Sequence, residues 1–191
     1  MVSPRTIALT DVVACVEEAR AIGKVPLFVD RAGNVDTFLA YRHTQTLEAK
    51  KVLMDTLRGG KSTEDVLEEM RKDLVAAMKY GKFFHIRMTN SAVAFKEKFN
   101  SSDCFPLQLF DPKSFIEKKG WEAVLRPEDR KNDPSCPIFG HQEHFDKGCQ
   151  GESFYPVITT TFAVEDYAEF LEPAIPMDHV MAFAVGQGDD D

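Results

Sequence analysis

Val25 to Asp30, VPLFVD, is an unbroken apolar run closed by an acid. A run of this length without polar alternation suits a strand buried on both faces, as in a parallel sheet covered by helices. Pro26 is compatible with such a strand if it stands before the hydrogen-bonded ladder begins. The chain then turns at Ala32-Gly33-Asn34 and takes up helical spacing through Val35, Phe38, Leu39 and Tyr41. Strand, short turn and helix in direct succession commit this stretch to a βα unit, and the remaining segments must be compatible with it.

They are. Ile7 to Gly23 has helical spacing at Leu9, Val13, Val16 and Ile22, with Thr10 as N-cap and Gly23 beyond the last turn. Lys51 to Asp55, KVLMD, is a second candidate strand, and the Gly59-Gly60 break after it leads into a helix from Ser62 to about Tyr80. Ser62 and Asp65 have capping-box spacing, and Val66, Met70, Leu74 and Met78 form one stripe. Phe83 to Met88 is rich enough in aromatic and branched residues to be a third strand. The spacing predicts a helix from Ser91 to Phe99 and a short one from Pro112 to Lys119, capped by Asp111, with Trp121 to Arg126 as one arm of a hairpin. Phe154 to Phe162 and Val180 to Val185 read as the last two strands, with a short acidic helix at Val164 to Leu171 between them.

Strands alternating with helices imply an α/β fold of three layers, a mostly parallel five-stranded sheet with helices on both faces and right-handed crossovers. At 191 residues and 43% hydrophobic content, one domain over 1–186 is expected. Residues 127–153 form an irregular insertion dense in Pro, Gly, Asp, Cys and His, and 187–191 an acidic flexible tail.

Composition narrows the function classes. A net charge of -8 and a pI near 5.2 oppose a nucleic acid backbone or an anionic membrane as partner. No run approaches the roughly 20 apolar residues that span a bilayer, and no apolar leader follows the basic N-terminal residues, so a soluble, cytoplasmic protein is expected. Cys15, Cys104, Cys136 and Cys149 are too scattered for a disulfide framework, and reduced thiols follow.

The opening VPLFVDRAGNVDTFLAYR, the Tyr80-Gly81-Lys82 element running into a strand, and Val124 to Asp129 together carry a resemblance. The chain resembles the C-terminal AAA-like, degenerate P-loop domain of IQ motif and ankyrin repeat proteins. More distantly it is similar to the nucleotide-poor fifth AAA module of dynein heavy chains, which also opens on a PLxxD strand and closes through a strand ending in Thr-Thr. The resemblance implies AAA/P-loop-like strand order, a protein-interaction or scaffold role without catalysis, a protein partner, and a cytoskeletal, ciliary or flagellar setting. It also aligns Arg31 to Asp36 with the phosphate loop and Phe83 to Thr89 with the strand that normally ends in a magnesium-binding acid.

A working phosphate loop needs several glycines, a lysine and a Ser or Thr for magnesium. Gly33 and Thr37 remain and the lysine does not, and Met88-Thr89-Asn90 offers no carboxylate. A vestigial pocket is therefore expected at Asp30, Gly33, Asn34, Thr37 and Thr160, Asp30 being placed where α/β ligands gather at strand C-termini. Two rival readings follow from other residues. Gly60-Lys61-Ser62 after an apolar run has the end of a P-loop and would define a weak nucleotide-binding protein or small P-loop kinase or NTPase, with Asp111 at the end of Leu107 to Phe110 as its acid. Asp55 stands where that motif requires its first glycine. Cys136, His141, His144 and Cys149 have zinc-capable side chains in C-x4-H-x2-H-x4-C spacing and define a zinc-stapled adaptor, the zinc being structural because four ligands leave no open position. No catalytic residue and no obligatory cofactor is assigned.

Overall fold

The computed structural model describes residues 3–118, 120–131 and 154–186. Six strands form one all-parallel sheet: β1 (Arg5–Ile7), β2 (Val25–Val29), β3 (Thr44–Glu48), β4 (Phe83–Thr89), β5 (Tyr155–Thr160) and β6 (Val180–Val185), in the order β1-β6-β2-β5-β4-β3. Counted from β2, the strands run fifth, first, fourth, third, second, which is the expected AAA/P-loop-like order. The sixth strand is the difference. Arg5–Ile7 pairs with Phe183–Val185 at the sheet edge, and a run of only three residues, two of them exposed, carries no periodic signal.

Seven α-helices lie among the described residues: α1 (Val12–Ala21), α2 (Asn34–Ala40), α3 (Ala49–Leu57), α4 (Thr63–Lys79), α5 (Pro112–Glu117), α6 (Pro127–Lys131) and α7 (Tyr167–Leu171). Strand alternation divides the core in two. Leu27, Phe84, Ile86 and Ile158 join a large cluster with α3, α4, α5 and α7. Phe28, Phe83, Val157 and Phe183 join a smaller one under α1 and α2. Both faces are thus covered, and β2 is buried at every position. Pro26 stands one residue before pairing with β5 begins at Leu27 but lies inside the register with β6, opposite Met181, so the expectation that it precedes the ladder holds on the β5 side alone.

The long helix behaves as its signals predict. Ser62 accepts from the Asp65 amide at 3.1 Å while the Asp65 carboxylate accepts from the Ser62 amide at 3.2 Å, a complete capping box. Val66, Met70, Leu74 and Met78 are all buried, each contributing about 1.5–3 kcal/mol on removal from water.

Three expectations fail for identifiable reasons. The second strand is not KVLMD but Thr44–Glu48, TQTLE, a mostly polar edge strand paired only with β4; edge strands need only one apolar contact, here Leu47. KVLMD belongs to α3, whose Ala49 and Val52 are its buried positions at helical spacing. Ser91 to Phe99 forms turns rather than a helix, held by amides that include Lys98 and Phe99 donating to the Ala94 carbonyl and Lys96 to that of Ala174. Trp121 to Arg126 is no hairpin arm, since Gly120–Val124 is a 3-10 helix burying Trp121 and Val124. No described helix is long and apolar enough to cross a membrane.

Candidate functional site

The C-terminal ends of β2, β4 and β5 meet where the strand order reverses, the position at which α/β sheets gather ligands. Asp30 follows β2 and is 4% exposed. Its Oδ1 accepts from the Ala32 amide at 3.1 Å and its Oδ2 from the Val35 amide at 2.7 Å. The turn closes through Gly33, whose φ of +74° suits glycine. A phosphate at this position would need those same amides, and they already serve a carboxylate from within the chain.

The other residues expected in the pocket are equally self-satisfied. Thr37 donates from its hydroxyl to the Gly33 carbonyl at 3.3 Å. Thr160, 1% exposed, donates to the Thr89 carbonyl at 2.9 Å and accepts from the Phe162 amide at 3.3 Å. The Asp30 amide donates to the Thr160 carbonyl at 2.9 Å, which ties the two strand ends together. Asn34 is exposed. Asp30, Gly33 and Thr160 therefore adjoin, and their polar groups are turned on one another.

A second layer of polar residues lies beside them, and it is the larger feature. Asp36 on α2 accepts from Thr159 Oγ1 at 2.6 Å and from Arg87 Nε at 2.7 Å. Arg87 also donates to Glu48 at 3.1 Å. His85 Nε2 lies 2.7 Å from Thr159 Oγ1 and 3.4 Å from Asp36 Oδ1. Since the single Thr159 proton goes to the carboxylate, His85 Nε2 carries the proton shared with the Thr159 oxygen. His85 and Thr159 are each 2% exposed. Burial pushes the Asp36 carboxyl up, but hydrogen bonds from His85, Thr159 and Arg87 outweigh it and hold its pKa down at about 2. The Asp36 bond, and after it Glu48, hold the Arg87 guanidinium above its ordinary range.

Threonine, histidine and aspartate in contact invite comparison with a nucleophilic triad. In a triad the histidine accepts the hydroxyl proton and the acid orients the far ring nitrogen. Here Asp36 takes the Thr159 proton itself, His85 donates to the same oxygen, and His85 Nδ1 faces Thr46 Oγ1 at 3.4 Å. The arrangement clamps α2 to β3, β4 and β5, and its hydrogen bonds run in a different order from those of a triad. A shallow cleft of about 290 Å³ opens beside it, lined among others by Thr37, Tyr41, Thr46 and Arg87.

The site residues that sequence reading missed are Asp36, Glu48, His85, Arg87 and Thr159. His85 and Arg87 alternate on one strand and so share a face, the one signal available; their pairing with Asp36 spans 51 residues for Arg87 and 123 for Thr159. At the end of β4, where a magnesium-binding acid would stand, Thr89 has φ of +51° and a buried hydroxyl without a partner among the described residues.

Gly60-Lys61-Ser62 joins α3 to α4, two helices, so it does not follow a strand. Lys61 Nζ donates to Asp55 at 3.1 Å and Glu69 at 2.7 Å, and these contacts, Glu69 first, hold its ammonium above the ordinary range. Leu107–Phe110 is a 3-10 helix rather than a strand, and Asp111 caps α5 by accepting from the Ser114 amide at 3.1 Å. Cys136, His141, His144 and Cys149 lie outside the described residues. Cys15 and Cys104 are buried free thiols. In comparisons with known proteins, no family model, curated protein or solved structure matches the chain.

Proposed function

We propose that this chain is a non-catalytic, AAA-like protein-interaction or scaffold domain. The observation that supports it most is the double occupation of the strand ends. Asp30 uses the turn amides that a phosphate would need, and the Asp36–Arg87 pair lines the adjoining cleft with a carboxylate and a cation already engaged with each other. A nucleotide there would place its phosphates against two carboxylates, with Arg87 already shared between Asp36 and Glu48. Hydrolysis would further lack a lysine in the loop and an acid at the end of β4. We further propose, on the resemblance to ankyrin and IQ-motif proteins and to dynein modules, a cytoskeletal, ciliary or flagellar setting within the cytoplasm, with a protein as partner. Thermal-shift measurements with Mg-ATP, ADP and GTP, alongside a phosphate-release assay, test the catalytic half: no shift and no turnover are expected. Imaging of the tagged protein in ciliated cells tests the setting, and uniform cytosolic signal would remove it.

A further inference from the structure

Beside α7 the sheet is left open on the face that α3, α4, α5 and α7 otherwise cover. A groove of about 810 Å³ runs between this helix and the end of the sheet formed by β6 and the edge strand β1. Its floor includes Thr6, Ala184 and Gly186, residues small enough to let another backbone approach closely. Its wall includes Val164 and Ala168, and Val164 is 45% exposed. Three carboxylates, Glu165, Glu169 and Glu172, rim this apolar surface, and none is ion-paired among the described residues, whereas the acids of α4 at Glu68 and Glu69 are both paired.

We infer that this groove takes a basic amphipathic helix from a protein partner, apolar side chains seated on Val164 and Ala168 and lysine or arginine set against the three glutamates. Charge complementarity selects that occupant: an acidic segment or a second copy of this acidic chain would bring like charge to the rim. A groove with a floor of small residues, an apolar wall and a charged border suits such helices, at i, i+3, i+4 and i+7 anchor spacing. The inference rests on the interaction reading above and adds the surface and the chemistry of the partner.

The test uses the full chain, 15N-labelled, with a labelled helical peptide of leucine and lysine and a leucine–glutamate counterpart of the same pattern. The lysine peptide should bind, weaken as salt rises, and shift the amides of Thr6, Ala168, Ala184 and Gly186; the glutamate peptide should not. The E165K/E169K/E172K variant should lose about tenfold or more in affinity, or roughly 1.4 kcal/mol, while E64K/E97K/E117K, with the same charge change on other exposed surface, should lose less than about half that in free energy. Filling the floor with Thr6→Trp should also weaken binding. Equal loss in both triple variants, shifts centred elsewhere, or concentration-dependent self-association through this face would overturn the assignment. Nucleotide titrations are untouched by any of these results, so this inference can fail while the non-catalytic reading stands.

Discussion

The Thr159 hydroxyl donates to Asp36 Oδ1 at 2.6 Å, joining residues 123 apart in sequence. Arg87 holds the other oxygen of the same carboxylate at 2.7 Å. One side chain on a short helix thereby fixes that helix to strands β4 and β5, and it does so with hydrogen bonds that favour the ionised acid.

Acid stability reports this directly. The folded-state pKa of Asp36 is depressed to about 2 from an ordinary 3.8, so the group's contribution is fully present above about pH 4 and is lost as pH falls through about 2. Allowing for screening by water in the adjoining cleft, it amounts to about 1–2 kcal/mol. Urea midpoints measured from about pH 5 to pH 2.5 should fall less steeply for Asp36→Asn than for the parent. Parallel curves would show that the carboxylate carries no such linkage.

Removing the Asp30 carboxylate leaves two amides, those of Ala32 and Val35, without their acceptor. Asp30→Ala should cost about 1–2 kcal/mol in equilibrium unfolding, and Asp30→Asn, which keeps one acceptor oxygen, roughly half as much. In the same turn Gly33→Ala should cost about 1 kcal/mol. Nothing lies within 4 Å of the added methyl, so that loss is purely conformational, and Gly33→Asn should recover part of it.

Arg71 is the most buried charge in the described chain, 1% exposed. Its guanidinium donates to Glu68 at 2.8 Å, to Asp129 at 2.7 Å and to the Val124 carbonyl at 2.9 Å, fastening α4 to α6 and the turn before it. Burial lowers its pKa, but Glu68 and Asp129 outweigh that and keep it firmly charged. Arg71→Ala should cost about 3–5 kcal/mol because Asp129 is left without its cation. Arg71→Lys should not restore the parent stability, since an ammonium cannot satisfy three acceptors in one plane. A melting temperature for the lysine variant equal to the parent's would refute this.

Much of the fold could be read from the chain because its central elements carry redundant signals. Val25–Val29 is apolar at every position, Val180–Val185 is bounded where its apolar run ends, and α4 has cap, charge pattern and stripe in agreement. The edges could not be read. Thr44–Glu48 and Arg5–Ile7 each pair on one side only, so their sequences are free to be polar or very short. KVLMD misled because three consecutive apolar residues, Val52 to Met54, fit a strand and a buried helical turn equally well. At the site, Asp30 was legible from its place at the end of β2. The Asp36, His85, Arg87 and Thr159 cluster was not, because its members come from three separate elements and no local spacing records their meeting.

The most direct test of the central claim is a calorimetric titration of the purified chain with Mg-ATP and Mg-ADP, repeated on Lys61→Ala and Asp30→Asn. If the strand ends are occupied by Asp30 and the Asp36–Arg87 pair, neither nucleotide should give saturable heat with any of the three proteins. Saturable one-site binding by the parent, abolished in either variant, would contradict the account: loss in Lys61→Ala would favour a P-loop enzyme at residues 60–62, and loss in Asp30→Asn a live nucleotide site at the end of β2.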